Sequence, residues 1–274
     1  MYINCKGQLI DLSTPRVMGI LNITPDSFYD GGRRTTKMEF LLHAEKMLKE
    51  GATFIDVGAY SSRPGAVDIS EEEELERILP VVGSLVENFP DILLSIDTFR
   101  SKVAKECVEA GAAMINDISA GNLDPEMMKT IARLQVPYII MHMRGNPQTM
   151  KDLKEYEDLT EDILFYFSEK IAEARDHGIN DIIVDPGFGF SKNIAQNFEL
   201  LSKLELLQNL DLPVLSALSR KSLIYKTFKT SPEEALNGTT VLNTISLLKG
   251  ANILRVHDVK EAVECVKLVG HLNN

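Results

Sequence analysis

The sequence is poor in several features that mark whole classes of protein. Its 29 lysines and arginines are outnumbered by 40 aspartates and glutamates, for a formal net charge of −11. This balance argues against nucleic-acid binding, because the phosphate backbone favours basic surfaces. The sequence also contains no hydrophobic run typical of a membrane span, and its first residues lack the basic and apolar regions of a signal peptide. We therefore expect no nucleic acid and no membrane among its partners.

Cysteine is scarce as well. Cys5, Cys107 and Cys265 are odd in number, lie far apart in the sequence and form no CxxC pair. This pattern is typical of free thiols in a reducing compartment and gives no sign of a disulfide framework. We therefore expect a cytoplasmic protein with three free thiols.

Short apolar strands alternate with helical segments along nearly the whole chain. The 274 residues, of which 44% are hydrophobic, suffice for a sizeable core. Residues 1–12 predict a small β-hairpin, and residues 16–270 predict eight strand-helix units. Eight such units at this length indicate an α/β protein with a (β/α)8 TIM barrel, in a single domain over residues 1–274. A doubly wound open sheet is the alternative, although no GxGxxG motif follows the first strand.

Local signals place several helix ends. Ser70 and the pair Asp124 and Pro125 predict N-terminal caps. The acidic residues 71–74 are interpreted as a solvated first turn favoured by the helix dipole, with no function. Helices are also predicted over residues 195–207 and 232–249. Four glycines follow predicted helices, where a left-handed C-cap is common: Gly51, Gly111, Gly178 and Gly250.

Polar residues stand at the C-terminal end of almost every predicted strand. The strand over residues 181–184 runs into Asp185, Pro186 and a loop with two glycines that ends at Phe190. Because the C-terminal ends of barrel strands face the same side, we expect the polar residues there to converge on one pocket. The other strand ends carry Asn22, residues 58–65, Asp97, Asn116, Asp117, His142, residues 219–222, Arg255 and His257.

Each of these residues also has a purely structural interpretation. A single Asp or Asn at a strand end is more often a cap or turn former than a catalytic group. His142 could be a packing histidine, and Met141 and Met143 more often fill a core. The chemical variety of the eight strand ends nevertheless favours a shared site, because caps alone do not need it.

The residue types suggest two neighbouring subsites. Asp97, Asn116 and Asp185 could present acceptors and a donor to a flat, hydrogen-bonding heterocycle. Lys221 could supply a cation near either part. A further group could surround an anion or its metal ion: Arg255, His257, Arg63 and Asn22.

Two long strand-helix loops have the composition of lids. Residues 24–32 end in two glycines and contain Asp26, Ser27 and Phe28, and residues 60–65 carry an arginine and a tyrosine. Long loops with charged and aromatic residues are typical of segments that close over a site and exclude water.

Seven short motifs follow one another along the chain. They are residues 18–28 (MGILNITPDSF), 61–65 (SSRPG), 96–98 (IDT), 115–117 (IND), 185–190 (DPGFGF), 219–222 (SRKS) and 255–258 (RVHD). Together they resemble the dihydropteroate synthase family of the folate pathway. The resemblance covers about residues 16–260 in family order, which makes the set specific although each motif alone is weak.

The resemblance implies a transferase that joins 6-hydroxymethyl-7,8-dihydropterin diphosphate to 4-aminobenzoate, giving 7,8-dihydropteroate and pyrophosphate. It implies a Mg²⁺ cofactor with Asn22 as its ligand, and a homodimer whose interface we place on residues 232–249 and 259–268. The implied catalytic residues are Asp97, Lys221, Arg255 and Asp185. The implied pterin contacts are Asp97, Asn116, Met141, Asp185 and Lys221, and the diphosphate contacts are Asn22, Arg63, Arg255 and His257. The implied 4-aminobenzoate contacts are Ser62, Pro64, Phe190 and Ser222.

The implied chemistry suits these residue types. The leaving group is an anion, so Mg²⁺ and cationic side chains would lower the barrier to its departure. The methylene left behind would be cation-like, and Asp97 would stabilise it. An arylamine is nucleophilic at neutral pH, which explains why no Ser-His-Asp or Cys-His arrangement is evident. Closure of the two loops would keep water from capturing the cation.

Two loops depart from the usual family pattern. Residues 58–65 read GAYSSRPG where the family commonly has GGESTRPG, so Tyr60 replaces a glutamate and Ser62 a threonine. After Phe190 the family usually has Gly-Lys-Thr, whereas residues 191–193 of this chain read SKN. The first change removes a charge at the base of its loop, and the second predicts a less flexible loop.

Three other functions are weighed against this one. A methyltetrahydrofolate:corrinoid methyltransferase would share the Asp and Asn contacts but would not need residues 62–64. A Schiff-base aldolase would use a lysine within a strand, whereas Lys221 follows one. A catalytically inactive pterin-binding module would need a damaged anion site, yet all the candidate anion residues are present.

Overall fold

The computed structural model describes residues 1–23, 33–60 and 68–272. Most of the predicted site residues are among them, from Asn22 on the first barrel strand to His257 after the last. Six predicted site residues in the two long loops lie outside the described residues: Asp26, Ser27, Phe28, Ser62, Arg63 and Pro64.

A two-stranded antiparallel hairpin opens the chain. It consists of β1 (Tyr2–Cys5) and β2 (Gln8–Asp11). Lys6 and Gly7 turn the chain with φ angles of 54° and 80°, the left-handed pair that a two-residue hairpin loop needs. The predicted N-terminal hairpin is confirmed.

Eight parallel strands form the barrel that follows. In chain order they are β3 (Arg16–Asn22), β4 (Phe54–Gly58), β5 (Leu94–Asp97), β6 (Met114–Asp117), β7 (Tyr138–Met141), β8 (Ile182–Asp185), β9 (Leu215–Ser216) and β10 (Ile253–Val256). Around the sheet the order is β8-β7-β6-β5-β4-β3-β10-β9. A parallel bridge between Val184 and Val214 joins β8 to the segment of β9. The predicted (β/α)8 barrel is confirmed, and the open-sheet alternative is wrong because the sheet closes on itself.

Helices alternate with the barrel strands. In the described part of the chain they are α1 (Arg33–Glu50), α2 (Glu71–Asn88), α3 (Ser101–Glu109), α4 (Met127–Leu134), α5 (Leu159–Asp176), α6 (Ile194–Ser202), α7 (Ser222–Phe228), α8 (Leu236–Leu248) and α9 (Val259–Gly270). The helix predicted over 195–207 ends early, and Leu204–Leu210 continues as a 3-10 helix. The Lys249 ammonium lies at this break, where it donates to the Ser202 carbonyl at 2.8 Å. The helix predicted over 232–249 likewise begins with a 3-10 turn, Pro232–Glu234.

The predicted helix ends use the expected groups. The Ser70 hydroxyl accepts a hydrogen bond from the Glu73 N–H at 3.1 Å at the start of α2. Asp124 serves two helices, since Oδ1 accepts from an N–H just before α4 and Oδ2 accepts from the Ser101 N–H at the start of α3. The four predicted C-cap glycines have φ between 87° at Gly178 and 107° at Gly111.

The interpretation of residues 71–74 as wholly solvated is wrong for Glu74. Its side chain is 0% exposed and forms an ion pair with Arg100, which also donates to the Ile69 carbonyl at 2.6 Å. Helical periodicity explains this, because Glu74 lies one turn before the buried Ile78 on the inner face of α2. Burial raises the pKa of Glu74.

Apolar side chains close the N-terminal end of the barrel. The inner face of the hairpin joins one buried cluster with side chains from the first residues of the barrel strands. Its members include Ile3, Cys5, Ile10 and Leu12 from the hairpin, and Met18, Phe54, Ile139, Ile183 and Ile253 from the strands. The opposite end of the barrel is therefore the one left for ligands.

All three cysteines are buried free thiols, as expected. Burial raises the pKa of Cys5 and of Cys107 to about 12, which keeps these thiols in the unreactive protonated form. Among the described residues, no helix combines the length and the apolar character that crossing a membrane requires.

Candidate active site

Strand register places predicted site residues side by side at the C-terminal end of the barrel. Asp97 is the register partner of Asn116 across β5 and β6, and Met141 is that of Asp185 across β7 and β8. Arg255 reaches from β10 to Asp97, with its Nη2 2.8 Å from the carboxylate Oδ2. The structure therefore brings these five residues to one face, because all the barrel strands run in the same direction.

A third carboxylate, which the sequence did not point to, lies beside this group. Asp56 is 0% exposed in the middle of β4, and its Oδ2 accepts from Arg255 Nε at 2.6 Å and from Asn116 Nδ2 at 3.1 Å. Asp56 stands two residues before the end of its strand, whereas the predicted site residues stand at strand ends. A charged residue between Ile55 and Val57 in an apolar strand was the available signal.

Burial and neighbouring charges shift the pKa of the central groups. Burial raises the pKa of Asp97 to about 7, against the opposing effect of Arg255. Burial also raises the pKa of Asp185, which the Lys221 ammonium lowers in turn. Burial lowers the pKa of Lys221 to about 8, although Asp185 favours the charged form. Strongly perturbed groups gathered at a strand-end pocket are typical of a functional site.

The loop after β8 is held tightly against the barrel. The Gly187 N–H donates to Asp185 Oδ1 at 2.8 Å, and Gly187 has a φ of 70°. A Cβ atom at this position would lie 2.1 Å from the His142 carbonyl oxygen, so only glycine fits. Lys221 donates to the Phe188 carbonyl, and its Nζ lies 5.0 Å from the centre of the Phe190 ring.

Lys192 braces the same loop from its other side. This buried lysine places its Nζ 3.1 Å from the carbonyls of both Gly187 and Phe190. The same Nζ lies 2.9 Å from His142 Nδ1, and burial lowers the pKa of Lys192 to about 7. His142 is buried, its ring stands edge-on to Tyr166 at 4.9 Å, and burial lowers its pKa well below the usual value. The packing interpretation of His142 is therefore correct.

The departure at Ser191 has a local explanation. Ser191 has a φ of 50°, a conformation that suits the glycine common in the family. Its hydroxyl donates to the Arg144 carbonyl at 3.0 Å and accepts from the Arg144 N–H at 2.8 Å. The Tyr156 hydroxyl donates to the Ser191 carbonyl at 3.0 Å. These bonds support the expectation of a less flexible loop.

Tyr60, the other departure from the family pattern, contacts three neighbouring side chains. Its ring meets Phe99 edge-on at 5.0 Å, and the Arg100 guanidinium lies 5.4 Å from its centre. The hydroxyl accepts a hydrogen bond from Gln148 Nε2 at 3.3 Å. Arg100 forms an ion pair with Glu74, so it does not depend on a carboxylate at position 60.

Apolar side chains flank the polar groups. Met141 is buried in a cluster with Ile118, Met143 and Met150, against which the half-buried Phe190 packs. A cavity of about 600 Å³ lies beside the loop that follows β8. Its lining includes Gly189, Ser191, Lys192, Asn193 and Ser222, with Lys151, Lys154 and Lys226 contributing basic groups.

The remaining predicted residues lie around the rim. His257 follows β10, and its Nδ1 lies 3.1 Å from the Ser219 hydroxyl, which also accepts from the His257 N–H at 3.1 Å. Ser222 begins α7 directly after Lys221. Arg220, in contrast, is turned away into a two-pronged ion pair with Asp258 at 2.8 and 2.9 Å.

Asn22 offers an exposed side chain at the end of β3, beside Gly58 of β4. An amide oxygen is a ligand that Mg²⁺ accepts. The described residues contain no group of three or more His, Cys, Asp or Glu side chains that could hold a metal ion by themselves. The site therefore fits an ion that takes one ligand from Asn22 and the others from water and substrate phosphates, which is the usual habit of Mg²⁺.

Comparison with known proteins agrees with the resemblance seen in the sequence. The sequence model described as "Pterin binding enzyme" matches residues 18–257. The dihydropteroate synthase of Escherichia coli K12 is 42% identical over 271 residues, covering 98% of this chain and 95% of that protein. The dihydropteroate synthase of Synechocystis is 43% identical over 259 residues, covering 93% and 89%.

Solved structures extend the likeness to the fold. Yersinia pestis dihydropteroate synthase in complex with a sulfonamide drug superposes with a TM-score of 0.93 at 42% identity, over 100% of this chain and 99% of that one. The Xanthomonas albilineans enzyme in complex with 7,8-dihydropteroate gives a TM-score of 0.89 at 36% identity, over 100% and 99%. The family model matches most of this chain, and relatives more than 40% identical to it cover nearly all of it. This chain therefore belongs to the pterin binding enzyme family.

Proposed function

We propose that this chain is a dihydropteroate synthase, which condenses 6-hydroxymethyl-7,8-dihydropterin diphosphate with 4-aminobenzoate. The observation that carries the proposal is the group formed by the buried Asn116 and Asp185 and the half-buried Asp97 and Lys221 at one end of the barrel, in a chain 42% identical to a protein of that name. This group offers charged acceptors and donors at a strand-end pocket. A pterin ring carries several N–H groups and ring nitrogens that need such partners.

The pterin ring would lie between the polar strand ends and the loop after β8. Asp185 and Asp97 would accept its N–H groups, and Lys221 would donate to a ring acceptor. Met141 and Phe190 would contact its faces, since both belong to the apolar cluster beside these groups. Buried polar partners reject analogues that lack the matching groups, because the site's own donors and acceptors would then be left unpaired.

The reaction needs the diphosphate to leave and a cation-like methylene to survive briefly. As the bond from the methylene carbon to the phosphate oxygen breaks, its electron pair stays on the diphosphate. The amine nitrogen of 4-aminobenzoate attacks the carbon, and the new C–N bond is completed when this nitrogen loses one proton to water or to the departing diphosphate. Asp97 would stabilise the positive charge on the pterin, and Arg255 and His257 would orient the departing anion. Bound Mg²⁺, held by Asn22, would neutralise charge on the diphosphate.

The 4-aminobenzoate would occupy the side of the site near α7. Phe190 and Ser222 flank that region, and the basic cavity beside them suits a carboxylate. Ser62 and Pro64, the other implied contacts, lie outside the described residues, as do Arg63 for the diphosphate and Asp26, Ser27 and Phe28 of the first loop.

Two further expectations belong to this proposal. A homodimer would use α8 and α9, and exposed apolar residues on these helices support it: Val241, Leu248 and Leu268 are 50%, 58% and 70% exposed. A cytoplasmic location is supported by the three buried free thiols.

The test is formation of dihydropteroate from both substrates with Mg²⁺, followed by chromatography. Lys221→Ala should lose most of the activity, and Lys129→Ala, an exposed lysine of α4, should retain it. Omission of Mg²⁺ should also abolish product. Pterin binding in calorimetry without turnover would favour an inactive pterin-binding module, and absence of both would overturn the proposal.

A further inference from the structure

Asp56 is a fully buried charge at this end of the barrel. It lies on β4, is 0% exposed, and contacts two residues of the pterin pocket through one oxygen atom. Its other oxygen, Oδ1, is buried without a hydrogen-bond partner among the described residues. A buried carboxylate with an unpaired oxygen costs free energy, and an apolar residue of similar size would often be more stable.

The contact with Asn116 decides which way its side-chain amide points. A carboxylate oxygen only accepts hydrogen bonds, so the Asn116 group 3.1 Å from Asp56 Oδ2 has to be the NH₂. The carbonyl oxygen of the Asn116 amide is thereby turned away from Asp56. Without this contact, the Asn116 amide could present either its oxygen or its NH₂ group to a ligand. With the contact, it presents the oxygen, which is a hydrogen-bond acceptor.

The contact with Arg255 likewise fixes the orientation of a side chain. Nε donates to Asp56 at 2.6 Å and Nη2 donates to Asp97 at 2.8 Å, so carboxylates on two adjacent strands hold the guanidinium plane from two sides. No hydrogen bond from Nη1 to another described residue is formed, which leaves that group for an anion. Asp97 is in turn oriented by the same guanidinium.

We propose that Asp56 is a positioning residue that fixes Asn116 as an acceptor for an N–H group of the pterin and fixes Arg255 between the two carboxylates. The proposal rests on the proposed function, since it names pterin as the ligand. Asp56 touches no substrate in this arrangement and acts through its two neighbours.

Asp56 also affects the charge state of Asp97. The charged groups near Asp97 include Arg255 from β10, Asp56 from β4, Glu74 from α2 and Asp117 from β6. Lys221, just before α7, also interacts with Asp97. Arg255 lowers the pKa of Asp97, and the three carboxylates raise it, Asp56 most of all. Removing the charge at position 56 should therefore lower the pKa of Asp97 and extend activity to lower pH.

The first experiment compares Asp56→Ala with the wild type, because alanine removes both the charge and the shared acceptor oxygen, whereas asparagine would keep an oxygen in the place of Oδ2. We expect KM for the pterin diphosphate to rise about 10- to 100-fold, because the amide of Asn116 is freed to turn over. KM for 4-aminobenzoate should stay within about twofold, since its contacts lie on the far side of Lys221. The acidic limb of kcat/KM should move to lower pH.

A conservative variant and a control separate positioning from simple support of the fold. Asp56→Asn removes the charge but keeps a side-chain oxygen that can accept from Asn116 and Arg255, so it should keep most of the pterin KM while its acidic limb still moves to lower pH. Asp117→Ala is the matched control, because Asp117 is equally buried but accepts from Tyr138 and Ser119 instead. It should lower the melting temperature, with little change in pterin KM and a smaller shift of the acidic limb.

The outcomes are distinct. A fall in melting temperature for Asp56→Ala with unchanged pterin KM and pH profile would overturn the proposal, as would an equal rise in pterin KM for Asp56→Asn and Asp56→Ala. A wild type that makes no dihydropteroate would refute the proposed function instead. Calorimetry of pterin binding to the same variants would then test the role of Asp56 by itself, with equal affinity for wild type and Asp56→Ala overturning it.

Discussion

The two ends of this barrel are built from the same strands and have opposite chemistry. Strand β4 begins with Phe54, buried against the N-terminal hairpin, and two residues later carries Asp56, which is bonded to Arg255. The hairpin end is sealed by apolar side chains, whereas the other end gathers buried carboxylates and cations. The first arrangement stabilises the fold by burying apolar area, and the second costs stability because charges are taken out of water. Function is therefore concentrated where the fold is least favourable.

Removing a charge at the catalytic end should show this most clearly. We expect Lys221→Met to lower kcat/KM about 100- to 1000-fold, because the site loses its cation beside Asp185. Its melting temperature should stay equal or rise, since burial disfavours the Lys221 ammonium. Initial rates and thermal unfolding measure the two effects. A marked fall in melting temperature with retained activity would contradict the comparison.

The complementary substitution removes apolar volume at the hairpin end. Phe54→Ala should cost about 3–5 kcal/mol of unfolding free energy, because it opens a cavity in the apolar cluster. The kcat/KM per folded molecule should stay near the wild-type value. Urea unfolding, with rates corrected for the folded fraction, provides the measurement. Loss of activity in the folded fraction would mean that the two ends are coupled.

Alanine substitutions at two glycines compare the backbone at the two ends of the barrel. Gly187→Ala should cost about 3 kcal/mol, because the new Cβ would lie 2.1 Å from a backbone oxygen of His142. Gly178→Ala, before β8 at the other end, has a φ of 87° and no atom within 4 Å of the new Cβ, so its cost should be about 1 kcal/mol. Denaturant unfolding of both variants checks the difference, and equal losses would refute the steric account.

The pH dependence gives the smallest effect. Asp97, with its pKa raised to about 7, carries its charge only above that pH, and Lys221, with its pKa lowered to about 8, loses its charge above that pH. We expect kcat/KM to rise through pH 7, to fall above 8, and to change about tenfold per pH unit outside this window. Lys192 also titrates near 7 but keeps two N–H donors when neutral. A flat profile between pH 5 and 7 would exclude a role for ionised Asp97.

The sequence predicted the fold and the edge of the site well. Alternating strands and helices indicated the barrel, and the polar strand ends led to Asp97, Asn116, Asp185 and Arg255, which the structure brings together. The errors have physical causes. Glu74 was taken as solvated because four acidic residues in a row resemble an exposed turn, and its partner Arg100 is 26 residues away. Asp56 was missed because an isolated acid inside an apolar strand has no local pattern that names its partners.

The sequence by itself determined the order of the strands and helices, the polar character of the strand ends and the glycine that the loop after β8 requires. These features depend on residues close together in the chain. Only the tertiary structure decided that Arg255 would lie between Asp56 and Asp97, 199 and 158 residues earlier. Sheet formation places β10 beside β3, two strands from β4 and three from β5, so that Arg255 can reach both carboxylates across the barrel end. Burial of these charges then shifts their pKa values. Pairing between distant residues depends on that strand arrangement, and no local pattern in the chain encodes it.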